Sequence, residues 1–170
     1  MKKILTTTAL ILALVFTAFS QQQTLKLGHI NTAELMRLMP ELEQAEQELQ
    51  QVEREFEAAL RTMITDYENL IQEFQANQQQ WSELIRATRI RAIQDLEQRI
   101  QDFRQQSERE FQFLRESLLT PIIERARVAI EDVARENGFT YIFDTSGGML
   151  LFAADSDDIL PLVKRKMNLN

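Results

Sequence analysis

Between Pro40 and Pro121 the chain runs eighty residues without a glycine or a proline. These two residues are the strongest helix breakers, so their absence over such a length dictates one long helical rod or two rods folded back on each other. At 1.5 Å of rise per residue the choice lies between one rod of about 120 Å and two of about 60 Å. Rods of this length do not build an ordinary enzyme pocket. They provide reach, spacing or an enclosure.

An apolar stripe runs along the stretch. Leu42, Ala45, Leu49, Val52, Phe56, Ala59 and Met63 step by three and four in alternation, which is a heptad seam. Tyr67, Leu70 and Phe74 continue it more loosely. From Trp81 it passes through Ile85, Thr88, Ala92, Leu96, Ile100, Phe103, Ser107, Phe111, Leu114 and Leu118, thirty-seven residues in ten steps. That spacing is close to the eleven-residue period that removes left-handed supercoil. The arms should therefore be coiled-coil-like near Pro40 and straighter further out. Asn77-Gln78-Gln79-Gln80 is the candidate turn, since Asn tolerates the left-handed backbone. Phe74 and Trp81 are seven residues apart, however, so the stripe alone also fits a continuous helix.

The flanking segments bear on this choice. Leu25, Leu27 and His29 alternate with Lys26, Gly28 and Ile30 as a short strand ending near Asn31. Asn31 or Thr32 caps a helix carrying Leu35, Met36, Leu38 and Met39, and Pro40 opens the next. After Pro121 the helical pattern resumes through Ile122, Ile123, Ala126, Ala129, Ile130 and Val133, and Asn137-Gly138 stops it. Phe139 to Phe143 reads as a strand, Thr145 to Gly148 as a turn and Met149 to Phe152 as a second strand, together a β-hairpin. Asp157-Asp158 start a closing helix with Ile159, Leu160, Leu162 and Val163. Such small β pieces are marginal alone in water, so they must meet in one body. A helical hairpin brings them together within one chain, and an antiparallel dimer does so between chains. We favour the hairpin.

The fold class is thus mainly α with a small β body: a long antiparallel helical hairpin projecting from a short-stranded oligomerisation domain. Residues 21–40 and 121–170 form the body, and 41–120 form the arm with its tip near 77–80. Residues 1–20 are read as a signal peptide. Lys2 and Lys3 precede an apolar run from Ile4 to Phe19, and Ala18 and Ser20 are small residues before a cleavage point at Gln21. Its removal takes Lys2 and Lys3 from the 19 basic residues and leaves 17 against 26 acids, a charge of -9.

Composition removes several function classes. The chain has no Cys, which excludes disulfides, zinc ribbons and thiol nucleophiles. Its net charge of -7 argues against nucleic acid as a partner. No phosphate-binding loop or zinc spacing occurs. His29 is the sole His and reads as a structural or exposed side chain, with no companion for catalysis. The many carboxylates lie on charge-dense helical stretches and read as solvated faces. We therefore expect no catalytic residue, no cofactor and no metal; the chain does not read as an enzyme.

The order of elements resembles the Skp-like (OmpH) family of periplasmic chaperones over the whole mature chain. Leu27-Gly28-His29-Ile30-Asn31 looks like the family's first strand. Tyr141-Ile142-Phe143-Asp144 looks like the strand after the arms, and Asp157-Asp158-Ile159-Leu160 with Val163 and Lys164 is similar to the closing helix. The resemblance implies a homotrimer whose strands form a small barrel, with three hairpins around a cavity that holds unfolded outer-membrane proteins in the periplasm without ATP. Well-known members carry basic arms. Here Glu41 to Ala76 hold ten acids against Arg54 and Arg61, which speaks against contacts with lipopolysaccharide or an anionic membrane.

Leu60, Ile64, Ile71, Ile90, Ile93 and Phe113 widen the stripe beyond one seam. A two-helix arm has only one shared seam, so this surplus is either partly wet, as a partner surface, or covered by a neighbour. The candidate client-binding residues are Met63, Phe74, Phe103, Phe111 and Phe113, which are adaptable or flat apolar groups. Arg86, Arg89 and Arg91 are candidate contacts at the arm tip for acidic client segments or membrane, weighed against a solvated helix surface. A structural coiled-coil spacer or tether of the envelope is the alternative function; it requires a continuous rod with a covered seam.

Overall fold

One cap at Asn31 and one proline at Pro40 divide the chain before the arm as their chemistry requires. The structure is a computed structural model that describes residues 25–169; the signal peptide expected at 1–20 lies outside the described residues. Strand β1 (Leu27–Ile30) leads into helix α1 (Thr32–Arg37), whose N-cap Asn31 accepts from the Glu34 amide at 3.1 Å. Helix α2 (Pro40–Asn77) starts with Pro in its first turn, where no amide donor is needed. The chain turns after Asn77, and helix α3 (Glu83–Glu136) returns. Strand β2 (Tyr141–Asp144), a single 3-10 turn (Asp155–Asp157) and helix α4 (Leu160–Met167) complete the chain.

The long stretch is therefore a hairpin. Its outgoing limb α2 has 38 residues, about 57 Å at the helical rise. The returning limb passes through Pro121 without stopping, whereas the sequence pattern has the helix resume there. Proline at that point removes the hydrogen bond to the Ser117 carbonyl. Both residues are exposed, so the freed carbonyl is open to solvent and the helix continues through it. Met39 and Pro121 line the same cleft at the foot of the arm.

The strands pair in parallel, with Leu27 opposite Tyr141 and Ile30 opposite Asp144. Amides of Thr140 and Thr145 extend the ladder to the carbonyls of Lys26 at 2.7 Å and Ile30 at 2.9 Å. Gly28 is dictated by packing: a Cβ there would lie 2.8 Å from Phe139 Cε1 and 3.0 Å from Ile142 Cδ1. Gly138, at φ +69°, takes the left-handed conformation that ends α3.

The second strand expected at Met149–Phe152, and with it the β-hairpin, is absent; these residues carry no regular structure. Topology gives the reason. β2 lies on one side of β1, while Asp158 bridges to His29 on β1, and the Ile159 amide donates to the His29 carbonyl at 2.9 Å. Residues 145–157 are consumed in carrying the chain from β2 to this second contact with β1, so they cannot lie back along β2. Met149, Leu151 and Phe152 are 91%, 98% and 84% exposed.

One hydrophobic core holds the base. Ile30, Leu35, Met39, Ile159 and Val163 are completely enclosed, joined by Ala45, Ile122, Ala126, Ala129 and Val133 from the roots of the arm. Each fully buried aliphatic chain of this size stabilises by about 1.5–3 kcal/mol. Ala126, Ala129 and Val133 recur on one face of α3, and their small side chains let α1 and α4 approach it.

Asp144 locks the end of β2 to the start of α1. Its Oδ2 accepts from the hydroxyls of Thr32 at 2.7 Å and Ser146 at 2.9 Å. Its Oδ1 accepts from the amides of Ser146 at 2.9 Å and Thr32 at 3.2 Å. Partial burial pushes the carboxyl pKa up, but the four donors together outweigh it and hold the pKa below the ordinary Asp value. A depressed folded-state pKa adds stability above the unfolded value, and that stability is lost as pH falls through the folded value. Asp144→Asn should therefore lower the melting temperature at pH 7. Its deficit should shrink steadily below about pH 4, as read by thermal denaturation across that range; a deficit independent of pH would assign the loss to shape alone.

Candidate functional site: the seam of the helical arm

Beyond the base the seam has only two helices to close it. From Leu42 to Leu118 its buried positions are Ala45, Leu96 and Ile100. Leu49, Val52, Phe56, Met63, Tyr67 and Leu70 on α2 are half-buried, as are Phe103, Phe111 and Leu114 on α3. Ala59, Ile85 and Thr88 are exposed although the pattern assigns them to the seam. A helix contacting a single partner hides only the inner part of each large side chain. Tertiary contact therefore leaves a partly wet stripe on each side of the α2–α3 line.

On one side this stripe is a continuous groove. Three linked hollows of about 280, 410 and 330 Å³ follow each other from Leu42 to Tyr67. The central one is floored by Phe56, Leu60, Phe103 and Phe111, with Phe56 and Phe103 edge to face at 6.2 Å between centroids. The outer one adds Ile64, Tyr67 and Ile100. Leu60 and Ile64, which widen the stripe in sequence, are thus half-buried members of this floor.

The five aromatic and Met candidates do not share one surface. Phe103 and Phe111 lie in the central hollow. Met63 is half-buried in the seam but outside that hollow. Phe74 sits at the tip, edge to face with Trp81 at 6.0 Å. Phe113 is 75% exposed and, two residues from Phe111, faces the opposite way around α3.

The tip is built around Trp81. The Arg89 guanidinium lies 5.5 Å from the Trp81 ring centroid and 3.2 Å from the Glu73 carboxylate, so Arg89 clamps the end of α2 to the start of α3. The Asn77 amide group donates to the Glu73 carbonyl at 3.0 Å, and Ser82 caps α3 by accepting from the Ile85 amide at 3.4 Å. Ser82 followed by Glu83 is a helix-start signal that the sequence reading passed over, and it places the turn at residues 78–82. Arg86 and Arg91 are exposed and five residues apart, so they project in different directions from α3. The three arginines form no single patch.

His29 serves the fold: its Nε2 is 3.0 Å from the Ala154 carbonyl, pinning the end of the irregular segment to β1. Among the described residues no group of three His, Cys, Asp or Glu side chains converges as a metal site. No described helix is long and apolar enough to cross a membrane. The arrangement offers open apolar surface and charge.

Comparison with known proteins agrees with this architecture. The OmpH family model, outer membrane protein (OmpH-like), matches residues 26–167. A crystal structure of a Caulobacter crescentus protein, described as a candidate OmpH-like outer membrane chaperone, superposes with a TM-score of 0.72. The likeness covers 85% of each chain at 13% identity and is one of fold. No curated protein matches the chain.

The unequal burial of two phenylalanines yields a direct test. Phe113→Ser should leave stability within about 0.5 kcal/mol, the usual range for exposed positions. Phe103→Ser loses the Phe56 contact and should speed hydrogen exchange in the middle of both arm helices. Mass-spectrometric exchange on the two variants measures this, and equal protection in both would mean that the seam does not hold the arm.

Proposed function

Because the chain belongs to the OmpH-like family, we propose that it is an exported, ATP-independent holdase of the periplasm that keeps unfolded outer-membrane proteins from aggregating. In this reading residues 41–120 are the client-facing arm, and 21–40 with 121–170 are the body that assembles. The observation that carries it is the half-open seam of the arm. A structural spacer needs a continuous rod with its seam covered; here the rod is folded back and large apolar side chains stay partly in water along its length. Unfolded chains have no fixed shape to match, and a long, shallow, partly wet stripe suits many weak contacts with them.

The body offers an association surface for the homotrimer that the family resemblance implies. Met149, Leu151 and Phe152 stand out beside Tyr141 and Phe143, which are also exposed, and all five lie on or just after β2. Exposed apolar side chains on and after an edge strand mark an association surface. The strand-forming character of Met149–Phe152 is then satisfied between subunits, where a neighbouring edge replaces the one that topology denies within the chain. Three arms leaving such a base would enclose a cavity.

Two measurements test the reading. Mixed at stoichiometric ratio with a denatured β-barrel outer-membrane protein diluted from urea, the exported chain should suppress light scattering without added nucleotide. Undiminished aggregation would refute the holdase. Light scattering coupled to gel filtration should give the mass of three chains, and Leu151→Asp with Phe152→Asp should reduce it to one. A wild-type monomer would refute the trimer.

A further inference from the structure

The groove along the α2–α3 line is apolar in its floor and acidic at its rim. Glu46, Glu53, Glu57 and Glu68 border it from α2, and Glu97 and Glu108 from α3. Against these six carboxylates stand two guanidinium groups, Arg104 and Arg115. Among the described residues, the ion pairs of the arm and its foot engage Glu41 and Glu73 and none of the six rim acids. Glu108 accepts a hydrogen bond from the Gln112 amide at 2.9 Å, a neutral donor that leaves its charge in place, so the rim charge is not neutralised by an ion pair and can meet a ligand.

We propose that this groove binds extended polypeptide segments in which apolar side chains alternate with Lys or Arg, and so selects among unfolded clients by charge. The inference rests on the holdase reading and names the segment class its arm prefers. Leu42 to Tyr67 spans about 38 Å of helix, the length of about eleven residues of extended chain. A strand that crosses a membrane has about 9–11 residues and alternates in polarity. Every second side chain of such a segment would lie on Phe56, Leu60, Phe103 and Phe111. Lysine or arginine between them would lay its methylene stem along the apolar wall and bring its charge to the rim.

Charge decides against other occupants. A second copy of the arm would bring its own six carboxylates against these six, and like charges across an interface are repulsive. A polyphosphate backbone or an anionic lipid surface meets the same repulsion. On the opposite side of the arm the geometry differs. Its hollows near Ala45 and Leu70 are separated, and Arg125 and Arg99 balance part of their acids.

Two fluorescent eleven-residue peptides provide the test, both alternating Leu and Phe with a charged residue, Lys in one and Glu in the other. Binding to the exported chain is followed by anisotropy at 50 and 300 mM NaCl. The Lys peptide should bind at least about tenfold more tightly at low salt, with the preference falling at high salt as the exposed charges are screened. Glu53→Gln, Glu57→Gln and Glu108→Gln together should remove most of the preference while keeping the apolar floor. Leu60→Ser with Phe103→Ser should weaken both peptides. Equal affinity for the two peptides, a preference insensitive to salt, or one that survives in a folded triple-Gln variant would each overturn the proposal. If wild-type protein suppresses client aggregation but binds neither peptide, the groove proposal falls and the holdase stands. If it does neither, the holdase itself has failed.

Discussion

The parallel pairing of β1 with β2 is the constraint on which the molecule depends. Residues 27–30 and 141–144 meet in register across more than a hundred residues of intervening chain. Closing so long a loop carries an entropic cost that two four-residue strands cannot offset alone. Two features make the closure feasible. Most of the intervening chain is two stiff helices, and the core of Leu35, Met39, Ala126, Val133 and Val163 joins the returning limb to the starting one. Closure also demands equal reach out and back: α2 has 38 residues, and α3 descends through a similar length before Ile122 enters the base core. An insertion in one limb alone would displace either the tip clamp at Arg89 and Trp81 or the register of the strands.

This economy of layers also sets the character of the arm. At the base, α2 and α3 have α1, α4 and the strands as further partners, and their side chains are enclosed. A few turns outward there is only the other helix, and the same residue types become half-exposed. Phe56 and Phe103 illustrate the transition: they pack edge to face, yet both line an open hollow. The open apolar surface of the arm is the unavoidable remainder of the seam that makes it a hairpin.

Much of this was legible in the sequence, and the failures have physical causes. The heptad steps from Leu42 to Met63 located the seam because each step follows from helical geometry. The hairpin could not be read from the stripe, since Phe74 and Trp81 keep phase across the turn; it followed from strands that must meet. The residues of Met149–Phe152 favour a strand. Local preference cannot see that β1 is already engaged by β2 and by Asp158, and that the segment must cross between them. Local chemistry usually makes a proline such as Pro121 a break; its exposed position in α3 leaves the freed carbonyl open to solvent. The candidate residues fared unevenly for a related reason. Phe111 and Phe113 look equivalent in composition, but two residues of helix place one in the groove and the other in solvent. The acidic rim was visible as an excess of Glu, yet only the fold places Glu97 and Glu108 beside Glu53 and Glu57.

If the chain holds clients as proposed, half-burial also bears on how it would release them without nucleotide. A seam side chain already partly covered by its partner helix has little apolar area left to offer. If a contact removes some 20–40 Å² from water, it contributes about 0.5–1 kcal/mol, much of which is offset by ordering the client segment. No single contact then dominates, and detachment can proceed one segment at a time. Screened charges at the rim would add steering and selectivity with little depth. A deeply enclosed pocket of the same residues would bind more tightly and require an energy source to empty. Under the proposed function the single shared seam would keep each contact shallow, and a client's own folding, which removes its apolar side chains from the groove, would draw it away.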